Sequence, residues 1–226
     1  MARTGRLIVF EGGEGSGKST QLRLLADSLA AARIAHRCLR EPGGTALGAE
    51  VRRLVLEREW KIDARAEALL FMASRAQLVA TELEPALERG EIVLLDRFFL
   101  STYAYQIGGR ALPEDDVRAA NALATAGLVP DLTLLLTFPV AEGLARAADR
   151  SAAHDRMERE GSAFHERVAA AFDSFASPDW QRAHPECGPI VSIEAGGSER
   201  DVAGRVREAL AARWPGTFPD IRASDH

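Results

Sequence analysis

Lysine is nearly missing from this 226-residue chain: Lys18 and Lys61 are the only two, and arginine supplies the rest of the 28 basic residues. Arginine is the better bidentate phosphate ligand, but a GC-rich coding sequence produces the same bias and is the simpler cause. An excess of positive charge is also missing. With 28 basic against 33 acidic residues the net charge is −5, whereas a non-specific nucleic-acid binder usually shows the opposite balance. A nucleic acid polymer is therefore not an expected partner. Cysteine is scarce, and Cys38 and Cys187 form neither a metal-ligand spacing nor a CxxC pair. A small secreted scaffold carries more, so a reducing cytosol is the expected setting. No apolar run reaches the roughly 18 residues that span a bilayer. The start MARTGRLIVF is basic, but its apolar run ends at Glu11, too early for a signal peptide. A soluble, cytoplasmic protein without membrane attachment is expected.

What is present suits one α/β domain, since 46% of the residues are hydrophobic and the length allows a full core. Leu7–Phe10, His36–Leu39, Ile92–Leu95, Leu132–Phe138 and Pro189–Ile193 read as strands. Helical spacing of apolar residues marks Thr20–Ala32, Gly48–Glu57, Ala64–Glu88 and Glu199–Trp214, with Pro85 kinking or breaking the third of these. Apolar strands separated by helices predict a parallel sheet covered on both faces. The tail from Pro215 to His226 has little apolar content and is expected to be loosely held.

The most specific local pattern is Gly12-Gly13-Glu14-Gly15-Ser16-Gly17-Lys18-Ser19, which fits GxxxxGK[ST] between a predicted strand and a predicted helix. Glycines let the backbone wrap phosphate oxygens with N–H groups pointing inward, and the helix start adds positive potential. Lys18 would reach the β- and γ-phosphates, and the Ser19 hydroxyl would hold Mg²⁺. With Thr20, these residues form the expected ATP-binding set. The loop alone does not say what happens to the phosphate. A guanine-binding switch needs an Asn-Lys-x-Asp reader, but the single asparagine, Asn121, is followed by Ala122. A small kinase needs a second site facing the loop and a mobile, arginine-bearing lid.

Both have candidates. Asp96-Arg97 ends the third predicted strand, and ligands of open α/β sheets bind beyond the carboxyl ends of strands. Asp96 would help hold Mg²⁺, and Arg97 would bridge donor and acceptor phosphates; the alternative is a surface ion pair. Bringing two anions together needs cations more than a base, because the attacking phosphate oxygen is already ionised. The segment Ala145–Gly161 offers Arg146, Arg150, Arg156 and Arg159. Taken alone it reads as a solvated charged helix; beside a phosphate loop it reads as a lid, at about residues 145–161.

Several further stretches resemble the thymidylate kinase family. Arg40-Glu41-Pro42-Gly43-Gly44-Thr45 is similar to its REPGGT segment, and the run from Asp96 to Gln106 (DRFFLSTYAYQ) to its DR[YFH]xxS[ST]xAYQ signature. Phe71 and Arg75 in LLFMASRAQLV resemble its base-binding helix, and Asp155-Arg156 its lid. The similarity runs in order from about Leu7 to about Leu210.

The resemblance implies a three-layer P-loop NTPase fold with a five-stranded parallel sheet, spanning residues 1–214, and phosphorylation of dTMP to dTDP with Mg²⁺ and ATP. It implies that Phe71 stacks on thymine and Arg75 hydrogen-bonds its O4. Thr102 and Gln106 would contact the base or nucleotide, and Arg52 and Arg97 would hold the acceptor phosphate. Tyr105 would pack under the deoxyribose, and Glu14 would accept from the 3′-hydroxyl. Without the family, Phe71 reads as core, Thr102 and Gln106 as helix polarity, and Glu14 as a solvated loop residue. Gly15 stands where some members place an arginine, which implies a transition-state arginine from the lid, Arg150 or Arg156 first and Arg146 next. The Glu41-Pro42 bond is a candidate cis peptide. The adenine is expected near the lid base and Glu194-Ala195-Gly196, and a homodimer is implied. Thr137 and Phe138 depart from the usual Asp or Asn followed by Val. The alternatives are another nucleoside monophosphate or deoxynucleoside kinase, and a P-loop nucleotide switch without catalysis.

Overall fold

The computed structural model describes residues 3–57, 60–138, 156–157 and 159–218. Five strands, β1 (Arg6–Glu11), β2 (His36–Arg40), β3 (Ile92–Asp96), β4 (Leu132–Thr137) and β5 (Ile190–Glu194), form one parallel sheet in the order β2-β3-β1-β4-β5. The first strand is central: Ile8 lies beside Leu94 of β3 on one side and Leu132 of β4 on the other. Its carboxyl end therefore opens between two neighbours, which places whatever follows Glu11 at the mouth of the sheet.

Side chains alternate across a strand, so each strand feeds both faces. Leu7, Val9, Val93, Leu95 and Leu135 pack on one face. Ile8, Phe10, Leu94, Leu134 and Leu136 pack on the other. This is why the strands read as continuous apolar runs rather than alternating ones. The second face is covered by α1 (Lys18–Ala31) and by the last described helix, which pack Leu22, Leu25 and Leu29 from one and Val202, Val206 and Leu210 from the other against it.

The first face is covered by α2 (Ala46–Arg52), which widens into a π turn at Arg53–Glu57, and by α3 (Ala64–Leu78). Thr45 caps α2 by accepting from Gly48 N at 2.9 Å, and Asp63 caps α3 through Arg65 N at 3.0 Å. A π turn at Val79–Leu83 leads from α3 into α4 (Glu84–Glu88), with Pro85 in its first turn. That position leaves the missing proline N–H without consequence, so the expected break is a change of helix type rather than an interruption. Next come α5 (Phe99–Thr102), a π stretch at Tyr103–Gly109, and α6 (Glu114–Thr125). Then follow α7 (Ser162–Phe175), α8 (Pro178–Ala183) and α9 (Glu199–Arg213).

Ser198 and Asp201 form a reciprocal capping box at the start of α9. The tail is held further than expected. Phe218 is 3% exposed, packs with Trp214, and sits beside a hydrogen bond from Arg6 to Thr217. The anchored chain thus runs to Phe218 rather than to Trp214; residues 219–226 lie outside the described ones. Among the described residues no helix is long and apolar enough to cross a membrane.

Candidate active site

The phosphate loop leaves β1 through a backbone that only glycine accepts. Gly12 has φ 141°, and a Cβ there would lie 2.4 Å from the Leu136 carbonyl oxygen. Gly17 has φ 88° and begins α1 without a side-chain cap, so no capping oxygen competes for the first helical amides. Nζ of Lys18 donates to the carbonyls of Gly12 at 2.9 Å and Gly13 at 2.7 Å. Burial, then the Arg97 charge, lowers the Lys18 pKa to about 8, against the pull of Glu14, Asp96 and Glu11.

The Asp96-Arg97 pair is not an ion pair with itself. Asp96 accepts from the Ser19 hydroxyl at 2.7 Å through Oδ2, while its buried Oδ1 has no hydrogen-bond partner. Arg97 has a left-handed φ of 71°, rare for a side chain of this size. Its amide donates to the Phe10 carbonyl at 3.0 Å. Glu11 secures the following turn by accepting from Phe98 N at 2.6 Å, Ser101 N at 3.1 Å and the Ser101 hydroxyl at 2.6 Å. Backbone strain is thus held by a buried carboxylate, and it aims the guanidinium back at the loop.

There Arg97 pairs with Glu14 and donates to the Ser101 hydroxyl at 3.2 Å. Tyr105 donates to the same Glu14 oxygen at 2.8 Å. The Arg97 charge is the main reason the Glu14 pKa falls to about 2, with burial opposing it. Burial is the largest single influence on Arg97 and works against its charge, but Glu14, Tyr105, Asp96 and Glu11 together outweigh it and hold the guanidinium well above its usual value. Glu14 is therefore a fixed anion facing inward, not a solvated loop residue.

One cavity of about 370 Å³ joins these groups to the rest of the expected set. Glu14, Gly15, Gly17, Lys18, Ser19 and Thr20 of the loop line it, with Asp96, Arg97 and Tyr105. Arg52, Phe71, Arg75, Thr102 and Gln106 complete the wall. Phe71 also rests on the core, as its reading without the family expects, while lining the cavity. Gly13 and Ser16 instead line a smaller space of about 50 Å³ behind the loop, and Gly12 lines neither.

Arg75 is more constrained than its sequence context suggests. It is 3% exposed. Nε donates to Glu41 at 2.8 Å and Nη2 to Glu41 and to the Phe98 carbonyl at 2.9 Å. Nη1 donates to Thr102 at 3.0 Å and to Asn121. A guanidinium has five N–H donors, and all five are used within the protein. A hydrogen bond from Arg75 to a base would have to share or replace one of these. The Glu41-Pro42 peptide is cis, and burial pushes the Glu41 carboxyl up while Arg75 opposes this.

Arg156, expected among the transition-state arginines, is held elsewhere. It pairs with buried Glu67, and its Nε donates to the Val55 carbonyl at 2.8 Å. Neither it nor Arg159 lines the cavity. Arg146 and Arg150 lie outside the described residues. The adenine expectation also narrows: the Glu194 and Gly196 carbonyls already accept from Arg205 at 2.6 and 2.7 Å, and the Ala195 amide is given to Thr137.

Sequence reasoning missed Glu11, Glu67, Arg110 and Asn121 as members of the site's framework. For Glu67 a signal existed, since Glu67, Phe71 and Arg75 repeat every fourth residue and share a helix face. Met157 and Leu56 also line the cavity, and nothing local marks them.

The family model described as thymidylate kinase matches residues 10–184. A thymidylate kinase of Desulforudis audaxviator is 49% identical over 93% of this chain and 94% of its own length. Those of Leifsonia xyli and Rhizorhabdus wittichii are each 44% identical over 93% of this chain, covering 97% and 99% of their own lengths.

Proposed function

The chain belongs to the thymidylate kinase family, and we propose from that premise how its own residues carry out the transfer. It is a phosphotransferase that converts dTMP to dTDP in nucleotide synthesis. The donor is ATP, with its phosphates in the loop from Gly12 to Thr20. The observation that carries this reading is one cavity lined by Lys18 and Ser19 of the loop together with Phe71, Arg75, Arg97, Thr102 and Gln106, with Arg97 bonded to both Glu14 and Ser101.

In the reaction an oxygen of the acceptor phosphate attacks the γ-phosphorus. A new P–O bond forms as the bond to the β-phosphate oxygen breaks, and ADP leaves with the electron pair. Both partners are anionic, so the main task is to bring them together and neutralise developing charge. Lys18 and Arg97 do this from the described residues, with Arg52 on the acceptor phosphate. Arg150 is the proposed lid cation, because Gly15 brings no side chain to the loop. Glu14 takes the 3′-hydroxyl, and the Tyr105 ring underlies the sugar.

Mg²⁺ fits Ser19 and Asp96: the unpartnered Asp96 Oδ1 is a hard oxygen beside the Ser19 hydroxyl. Among the described residues no group of three or more His, Cys, Asp or Glu forms a protein cage, which suits an ion that keeps waters and phosphates as ligands. When bound it supplies charge neutralisation on the donor phosphates.

We extend the proposal to a homodimer. Leu69 on α3 and Leu123 on α6 are 61% and 85% exposed, and these two helices pack side by side. A coupled assay with ATP and a panel of monophosphates tests the function. Preferred turnover of dTMP is expected. Preferred turnover of CMP or UMP would sink the acceptor assignment, and tight ATP binding without turnover would favour a nucleotide switch.

A further inference from the structure

Glu67, in the first turn of α3, is fully buried yet lies outside the reaction centre. Its Oε1 accepts from Gln106 Nε2 at 3.2 Å and from Arg110 Nε at 3.0 Å. Its Oε2 accepts from Arg110 Nη2 at 3.1 Å and from Arg156. Arg156 also gives its backbone amide to the Leu56 carbonyl at 2.9 Å, next to its side-chain bond to Val55. Arg110 pairs further with Glu160 at 2.7 Å and lies 4.7 Å over the Phe164 ring.

A carboxylate withdrawn from water costs several kcal/mol unless charges and hydrogen bonds satisfy it, and a satisfied one holds its partners in a fixed geometry. Here the partners come from two distant stretches of chain, Gln106 and Arg110 on one and Arg156 on the other. Three residues held by or adjacent to them (Gln106, Leu56 and Met157) line the cavity along with Phe71. We propose that Glu67 is a positioning residue for the acceptor. It fixes Gln106 directly and, through Arg156, seats Leu56 and Met157 as part of the acceptor's wall. Arg156 shares this role and is not the transition-state cation.

The inference rests on the dTMP reading above, and its test separates the two. Wild-type enzyme that fails to turn over dTMP defeats that reading, whatever the variants do. If wild type is active, Glu67→Gln and Arg156→Ala are compared in steady-state kinetics with each substrate varied in turn. Both should raise KM for dTMP about tenfold, leave KM for ATP within about twofold, and change kcat by less than about threefold. The double variant should be little worse than the more damaged single one, since both break the same pair. A purely structural role for Glu67 would lower the active fraction, and hence apparent kcat, at unchanged KM; that result overturns the proposal. So does an Arg156→Ala enzyme whose kcat drops about a hundredfold or more at unchanged KM, which is the mark of a transition-state contact. Arg156 is partly exposed, so its variant keeps the test open if Glu67→Gln does not fold.

Discussion

The Ser19 hydroxyl and the Asp96 carboxylate, 77 positions apart in sequence, meet at 2.7 Å where the phosphate loop faces the end of β3. One Asp96 oxygen is spent on Ser19 and the other has no partner despite its burial. Asp96→Asn keeps the shape and removes the charge. The Mg²⁺ concentration needed for half-maximal rate should rise about tenfold, with a smaller loss of rate at saturating metal. A Mg²⁺ titration at fixed ATP reads this, and an unchanged requirement would place the metal elsewhere.

Arg97 pairs with Glu14 of the phosphate loop and is the largest influence on its carboxyl. Arg97→Ala should lower kcat by about two to three orders of magnitude with a smaller effect on KM for ATP. The Glu14 carboxyl should also leave its value of about 2 and return toward the ordinary carboxylate range. Steady-state kinetics and a carboxylate titration by NMR test the two halves separately.

Removing Arg75 should cost stability as well as affinity. Arg75→Ala leaves Glu41 and Asn121 buried without their partner. Breaking a buried pair in this way costs about 3–5 kcal/mol, or a fall in Tm of about 10 °C for a domain of this size. The expected contact of Arg75 with thymine O4 by itself predicts mainly a higher KM for dTMP. A calorimetric scan beside the kinetics decides between them: an unchanged Tm would mean that the Glu41 network is not structural.

Lys18 gives a pH dependence with opposite signs for binding and stability. Its folded-state pKa of about 8 lies below the ordinary 10.5. Above about pH 8 the free enzyme loses this charge, so kcat/KM for ATP should fall about tenfold per pH unit. Bound phosphates restore the charge, so kcat should hold to higher pH. The unfolded chain binds this proton more tightly, so the group's contribution to stability should grow from about pH 8 to 10.5. A pH–rate profile resolved into kcat and kcat/KM, with melting curves over the same range, checks both signs.

If α3 and α6 form the dimer face, Leu123→Glu should weaken association. Two like charges would meet across a two-fold interface that now offers apolar surface. Sedimentation should show the wild type as a dimer and the variant shifted toward monomer. A monomeric wild type would refute the homodimer itself.

The phosphate loop and five strands were legible because each is a local pattern, consecutive residues or an apolar run, while Phe71 and Arg75 on α3 were marked by the resemblance to the family's base-binding helix. Local order also made Asp96-Arg97 visible. The left-handed Arg97 backbone was not, since it depends on Glu11 reaching across from β1. The helices α6, α7 and α8 are not among the elements expected from sequence, although Phe164, Val168, Phe172 and Phe175 mark the buried face of α7 at helical spacing.

By itself the sequence determined the sheet and the loop that binds phosphate, because backbone geometry and hydrophobic period are set over a few neighbouring residues. Arg52, Phe71, Arg75, Thr102, Tyr105 and Gln106 were marked only by the family resemblance. Only the tertiary structure decided which charges pair. Arg75 has the chemistry to read a base, yet it is saturated by Glu41, Thr102, Asn121 and Phe98. Arg156 has the chemistry of a lid cation, yet it binds Glu67. An arginine can serve any anion within reach, and a buried carboxylate takes the cation that the fold brings to it. That choice is made between residues tens of positions apart, where no sequence spacing records it.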